Sequence, residues 1–169
     1  MRVSKYCSKL PASRLVERTR NTGTKNVHVN SINYQILENL PDEVTTYKSV
    51  DSAMNQDDAV NYPVEFLNSM EPLGMPPHCL NLKVGSSIIL LRNFNAPKQC
   101  NGTRLAVKKL IANLVEATIL TGKAKGEIVL IPRIPLIKTD MTFEFKRLQF
   151  PVRLAFAMSV NKAPGQTLQ

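Results

Sequence analysis

The sequence holds few residues of the types that ligate metals or act as nucleophiles, and their spacing narrows the chemistry further. Cys7, Cys79 and Cys100 stand far apart and form no CxxC pair, and His28 and His78 are each isolated. A zinc site gathers several such ligands, usually as closely spaced pairs, so this pattern argues against one. An odd number of scattered cysteines also fits no disulfide framework, which favours a reducing compartment. Nucleotide hydrolysis would need a phosphate-cradling loop of type GxxxxGK[ST], whose amides and lysine hold the phosphates and whose hydroxyl places magnesium. The nearest string is GKAKGE at 122–127, which has neither that spacing nor the Ser/Thr. No acidic pair follows an apolar strand to serve as a magnesium-holding carboxylate.

Charge is the stronger signal. The formal net charge is +9, and it is divided unevenly. Residues 1–33 carry a net +6, residues 34–100 a net −4 and residues 101–169 a net +7. Two basic blocks around an acidic middle suggest a polyanion-binding face built from both ends of the chain; the plainer alternative is a generally basic, solvated surface. Lys108, Lys109, Lys123 and Lys125 would form one exposed basic edge. Arg92 and Arg104 would either pair with the acids of the middle segment or face phosphate. Aromatics for base stacking are few: Tyr34, Phe94, Phe143, Phe145 and Phe156, the last of these better suited to a core.

The elements that must position these residues can be read from periodicity. With 43% hydrophobic and 21% charged residues, and no Trp, the 169-residue chain reads as globular with a core of Leu, Ile and Val. It has room for one domain, or one domain with a small insert. Residues 1–19 lack periodicity and read as a disordered or truncated segment. Asn26–Leu40 places Val29, Ile32, Ile36, Leu37 and Leu40 at helical spacing, and Pro41 ends the helix. VTTYKSVDS reads as a strand, and residues 52–80 as a proline-bearing connector with a helical turn at VEFLNSM. From Leu82 onward, short strands separated by turns predict a small antiparallel barrel, with Asn101-Gly102 as a tight turn. RLAFAMSV reads as a buried strand running into the loop NKAPGQTL. No apolar run approaches the roughly 18–20 residues of a membrane span, and no signal-peptide pattern opens the chain.

Three segments carry a resemblance. LKVGSSIILLRNFNAPKQCNGTRLAV at Leu82–Val107 is similar to a segment of the Pif-one-type DNA helicases and their relatives encoded by Helitron transposons. FPVRLAFAMSVNKAPGQTLQ at Phe150–Gln169 resembles that family's motif V. NVHVNSIN at Asn26–Asn33, with YKSVDS and the connector after it, resembles the motif IV region. The three occur in the family's order and cover about residues 20–169.

The resemblance implies an α/β fold: part of a second RecA-like domain of the P-loop NTPase helicase type at 20–80 and 149–169, interrupted by a Src-homology-type antiparallel β-barrel at 81–148. It implies the carboxy-terminal part of an ATP-dependent DNA helicase acting in DNA repair, recombination, telomere or replication maintenance, in the nucleus or the mitochondrion. ATP and Mg2+ would serve the intact enzyme, with single-stranded DNA and a missing amino-terminal RecA-like domain as partners. The fragment itself would hold no metal and would not hydrolyse ATP. Motif V would put Ser159, Asn161 and Lys162 near a DNA phosphate, with Gly165, Gln166 and Thr167 toward the nucleotide; Arg104, Lys108 and Lys109 are further DNA-binding candidates. Ala163-Pro164 stands where the family has Ser-Gln, which removes polar contacts and a backbone donor. That departure suits a decayed transposon-derived copy. A non-enzymatic nucleic-acid-binding module is the other alternative.

Overall fold

The computed structural model describes residues 22–95, 99–139 and 143–157. Helix α1 runs Thr22–Asn39, and strands β1 (Thr45–Lys48) and β2 (Val50–Ala53) follow Pro41. Two short helices, α2 (Gln56–Asn61) and α3 (Val64–Ser69), occupy the connector. Then come β3 (Cys79–Leu82), β4 (Ser87–Leu90), β5 (Arg104–Ile111), β6 (Leu114–Ile119), β7 (Ile128–Pro132), β8 (Ile134–Lys138), β9 (Phe145–Gln149) and β10 (Val152–Leu154).

Helix α1 buries a narrower face than its apolar residues predict. Asn33 and Leu37, four positions apart, are buried, and Leu40 packs partly against the core. Ile32, Tyr34 and Ile36 are exposed instead. The buried stripe is therefore polar at one position and apolar at the next turn. The helix ends on Lys83, whose Nζ donates to the carbonyls of Glu38 (3.2 Å) and Leu40 (2.7 Å). These are among the carbonyls a helix terminus leaves without partners, and an ammonium suits the negative end of the helix dipole.

The strands form three sheets. A five-stranded sheet has the order β10-β4-β5-β6-β7, a three-stranded sheet the order β2-β9-β8, and β1 pairs with β3. Leu105, Val107, Val115, Ala117, Ile119, Val129 and Ile131 alternate inward on β5–β7, the period-two pattern of a sheet with one covered face. They join Leu37, Tyr47, Leu80, Leu82, Ile88, Leu90, Phe150 and Val152 in one core. A second cluster, Leu67, Met75, Leu136, Phe143 and Phe145, lies between α3 and the three-stranded sheet.

The expected barrel is corrected: among the described residues no sheet closes, and β10 and β7 are the outer strands of an open sheet. After β7 the chain crosses one residue, Arg133, and enters β8, which pairs with β9 rather than returning to β4. Pro135 is tolerated in β8 because that strand lies at an edge. Every strand pairing among the described residues is antiparallel. The class is α/β, mostly sheet. β10 completes the sheet of β4–β7, and β9 pairs β2.

Among the described residues no helix is long and apolar enough to cross a membrane.

Candidate nucleic-acid interface

The strand expected to lead into the strand-gripping run is β10, and its exit is held from three sides. Its edge against β4 gives Ala155 N–H to the Ser87 carbonyl at 2.9 Å. Ser87 Oγ then donates to the Ala155 carbonyl at 3.2 Å, and Arg104 Nη2 donates to the same oxygen at 3.1 Å. From α1, Asn33 Oδ1 accepts the Ala157 N–H at 2.7 Å, and its Nδ2 donates to the Ala157 carbonyl at 3.2 Å and the Leu154 carbonyl at 3.5 Å. Asn33 is 3% exposed. A buried amide must find partners for its donors and acceptor, and the chain after β10 supplies them.

The candidate residues fall into three groups. Ser159, Asn161, Lys162, Gly165, Gln166 and Thr167 lie outside the described residues. Arg104 is half-buried at the start of β5; its Nη2 engages Ala155, and its Nε is buried without a hydrogen-bond partner. Lys108 and Lys109 are both exposed. The β5–β6 register shifts between Val107 and Lys109, so a bulge breaks the alternation and sends two successive lysines outward. Lys109 stands across from Glu116, which sets an opposite charge beside it. Lys123 and Lys125 are exposed in the turn before β7, and Arg92 is exposed after β4.

Asn101-Gly102 is a turn, as its residue types require. Gly102 has φ +90° and donates to the Leu90 carbonyl at 2.8 Å, and Asn101 N–H donates to Asn93 Oδ1 at 2.6 Å. Of the aromatics, Phe143 and Phe145 are core, while Phe94 and Phe156 are partly buried against the main core. Tyr34 alone among those five is exposed. The residue as a whole is open, yet the surroundings of its hydroxyl bury that group enough to raise its pKa; Glu71 adds to this, and nearby Arg153 opposes it.

Several polar residues with structural duties were not legible in sequence. Arg147 and Asp51 are both fully buried and paired, with Nη2–Oδ2 at 2.6 Å. The guanidinium also donates to the carbonyls of Leu67, Met70 and Pro76, which ties the connector to the three-stranded sheet. Asp51 accepts Ser49 Oγ–H at 2.7 Å, and Ser49 Oγ lies 2.8 Å from His78 Nδ1. The single hydroxyl proton goes to Asp51, so His78 Nδ1 is the donor to Ser49. Arg133 lies over the rings of Tyr47 and Phe150, at 5.5 and 5.2 Å from their centroids. Asn33, a buried polar residue on the same stripe as Leu37, belongs with them.

Comparison with known proteins bears on what this arrangement belongs to. Residues 65–110 match the family model for the 2B domain of the DNA helicase Pif1. No curated protein matches the chain. Among solved structures, the Pif1 helicase from Candida albicans is 24% identical with a TM-score of 0.60, over 85% of this chain and 36% of that one. Unliganded Pif1 from Bacteroides is 20% identical with a TM-score of 0.54, over 78% and 38%. Bacteroides Pif1 bound to single-stranded DNA is 19% identical with a TM-score of 0.53, over 77% and 28%. The chain thus corresponds to about a third of the length of these helicases. Residues 65–110 are thus similar to the 2B domain of the DNA helicase Pif1, and they sit in a fold that solved Pif1 helicase structures share.

Proposed function

We propose that the chain is the carboxy-terminal part of a Pif1-type ATP-dependent DNA helicase, and that it contributes a surface for single-stranded DNA rather than the ATP-hydrolysing machinery. The observation that carries this is the coincidence of the 65–110 family match with the shared fold. The Bacteroides relative is itself described as bound to single-stranded DNA. ATP and Mg2+ belong to the intact enzyme, whose phosphate-cradling loop would come from the amino-terminal RecA-like domain. Repair, recombination and telomere maintenance are the processes in which such a helicase would act, in the nucleus.

On this reading Ser159, Asn161 and Lys162 face the DNA backbone, Gly165, Gln166 and Thr167 face the nucleotide side, and Lys108 and Lys109 add charge from β5. Arg104 also holds the chain path, through the bond from its Nη2 to the Ala155 carbonyl. Phosphate contacts fix position without reading bases, so affinity should depend little on sequence. Fluorescence anisotropy with labelled oligonucleotides of several compositions tests this: similar affinities within about a few-fold support it, and a strong preference for one sequence contradicts it.

A non-enzymatic nucleic-acid-binding module remains the second reading. One observation favours it: Ala163-Pro164 replaces the polar Ser-Gln of the family's motif V. Fusion to a RecA-like domain with an intact GxxxxGK[ST] loop discriminates the two. Restored DNA-stimulated ATPase supports the helicase, and DNA binding without any turnover supports the module.

A further inference from the structure

Asn33 meets the chain after β10 in the way a neighbouring strand would. Its side-chain amide accepts from the N–H of Ala157 and donates to the C=O of the same residue. One residue's two backbone groups are thereby satisfied by one amide, 124 positions away in sequence. Two residues earlier, Ser87 and Arg104 converge on the Ala155 carbonyl. Backbone bonding already holds β10 to β4 as far as Ala155. The three side chains add a constraint where sheet pairing ends, from α1, β4 and β5.

We propose that Asn33, Ser87 and Arg104 are positioning residues that fix the position and direction of the chain at Ala155–Ala157, the last described residues before the polar run 159–167. The proposal deepens the DNA-gripping reading above and rests on it for the role of that run. Asn33 is suited to the task because it is buried and has both a donor and an acceptor in one plane. Leucine would fill the same space with neither, and aspartate keeps only the acceptor.

The test combines residue-resolved amide hydrogen exchange with anisotropy on labelled single-stranded DNA, using the full chain. Asn33→Ala should speed exchange of the Ala157 amide by about tenfold. Val107 and Ala117 amides in the β5–β6 hairpin should keep their protection, and DNA affinity should fall by about threefold or more. If Asn33→Ala does not fold, Asn33→Leu gives the same readout without a cavity. The proposal is overturned if Ala157 exchange stays within about twofold of the parent, or if all three amides accelerate together. It is also overturned if Ala157 opens while DNA affinity is unchanged. A parent chain that binds no DNA sinks the functional reading instead, and the exchange arm still decides whether the clamp exists.

Discussion

At the scale of single residues, the structure is governed by where buried polar groups find partners. Arg147 illustrates the point. With Asp51 and three connector carbonyls around it, the guanidinium is satisfied although fully buried. Removing it leaves a buried carboxylate and three carbonyls without their donor. Arg147→Met should destabilise the chain by about 3–5 kcal/mol, and adding Asp51→Leu should recover part of that. Urea denaturation of the single and double variants measures both; a single variant as stable as the parent would refute the pinning role. His78 gives a pH prediction. Burial lowers its pKa below the ordinary 6.5, with Arg147 and Lys48 adding to this and Asp51 opposing it. Between the lowered value and about 6.5 the unfolded chain binds a proton that the folded chain does not, so stability falls as pH falls through that window. The urea midpoint should decline on acidification from about pH 7.5 to about 5.5, and His78→Gln should flatten part of that decline. An identical slope in the variant contradicts it.

At the scale of elements, the legible features were the local ones. Pro41 ended α1, short strands between turns were marked from Leu82 onward, and Asn101-Gly102 made its turn, because each depends on residues within a few positions. Closure of the sheet was not legible. Whether β10 meets β7 depends on pairing between residues distant in sequence, and the turn from β7 into β8 sends the chain to another sheet. The lysine pair on β5 was legible as basic, whereas the bulge that exposes both side chains was not. Asn33 was hidden because a polar residue on a helix is ordinarily solvated. Two element-scale predictions follow from the geometry. Lys83→Met keeps the apolar stem but removes both bonds at the end of α1, and should cost about 1–3 kcal/mol. Gly102→Ala meets no atom within 4 Å, so its cost of about 1 kcal/mol comes only from the positive φ. Thermal melts read both; a Gly102→Ala variant more stable than the parent would rule out the strain.

At the scale of the whole molecule, the account joins a Pif1-type 2B segment, a fold shared with Pif1 helicases and a net charge of +9. The central proposal is that the polar run 159–167 grips single-stranded DNA through its phosphates, with Lys162, its one cation, among the contacts. Such contacts release counterions, so affinity must fall as salt rises, and loss of one contact should reduce the log–log slope by about 0.7 for a single strand. The decisive measurement is fluorescence anisotropy of a labelled oligonucleotide over a salt series, for the parent and Lys162→Ala. The account predicts weak binding, a steep slope for the parent and a shallower one for the variant. Binding indifferent to salt, or the same slope in both proteins, would contradict it.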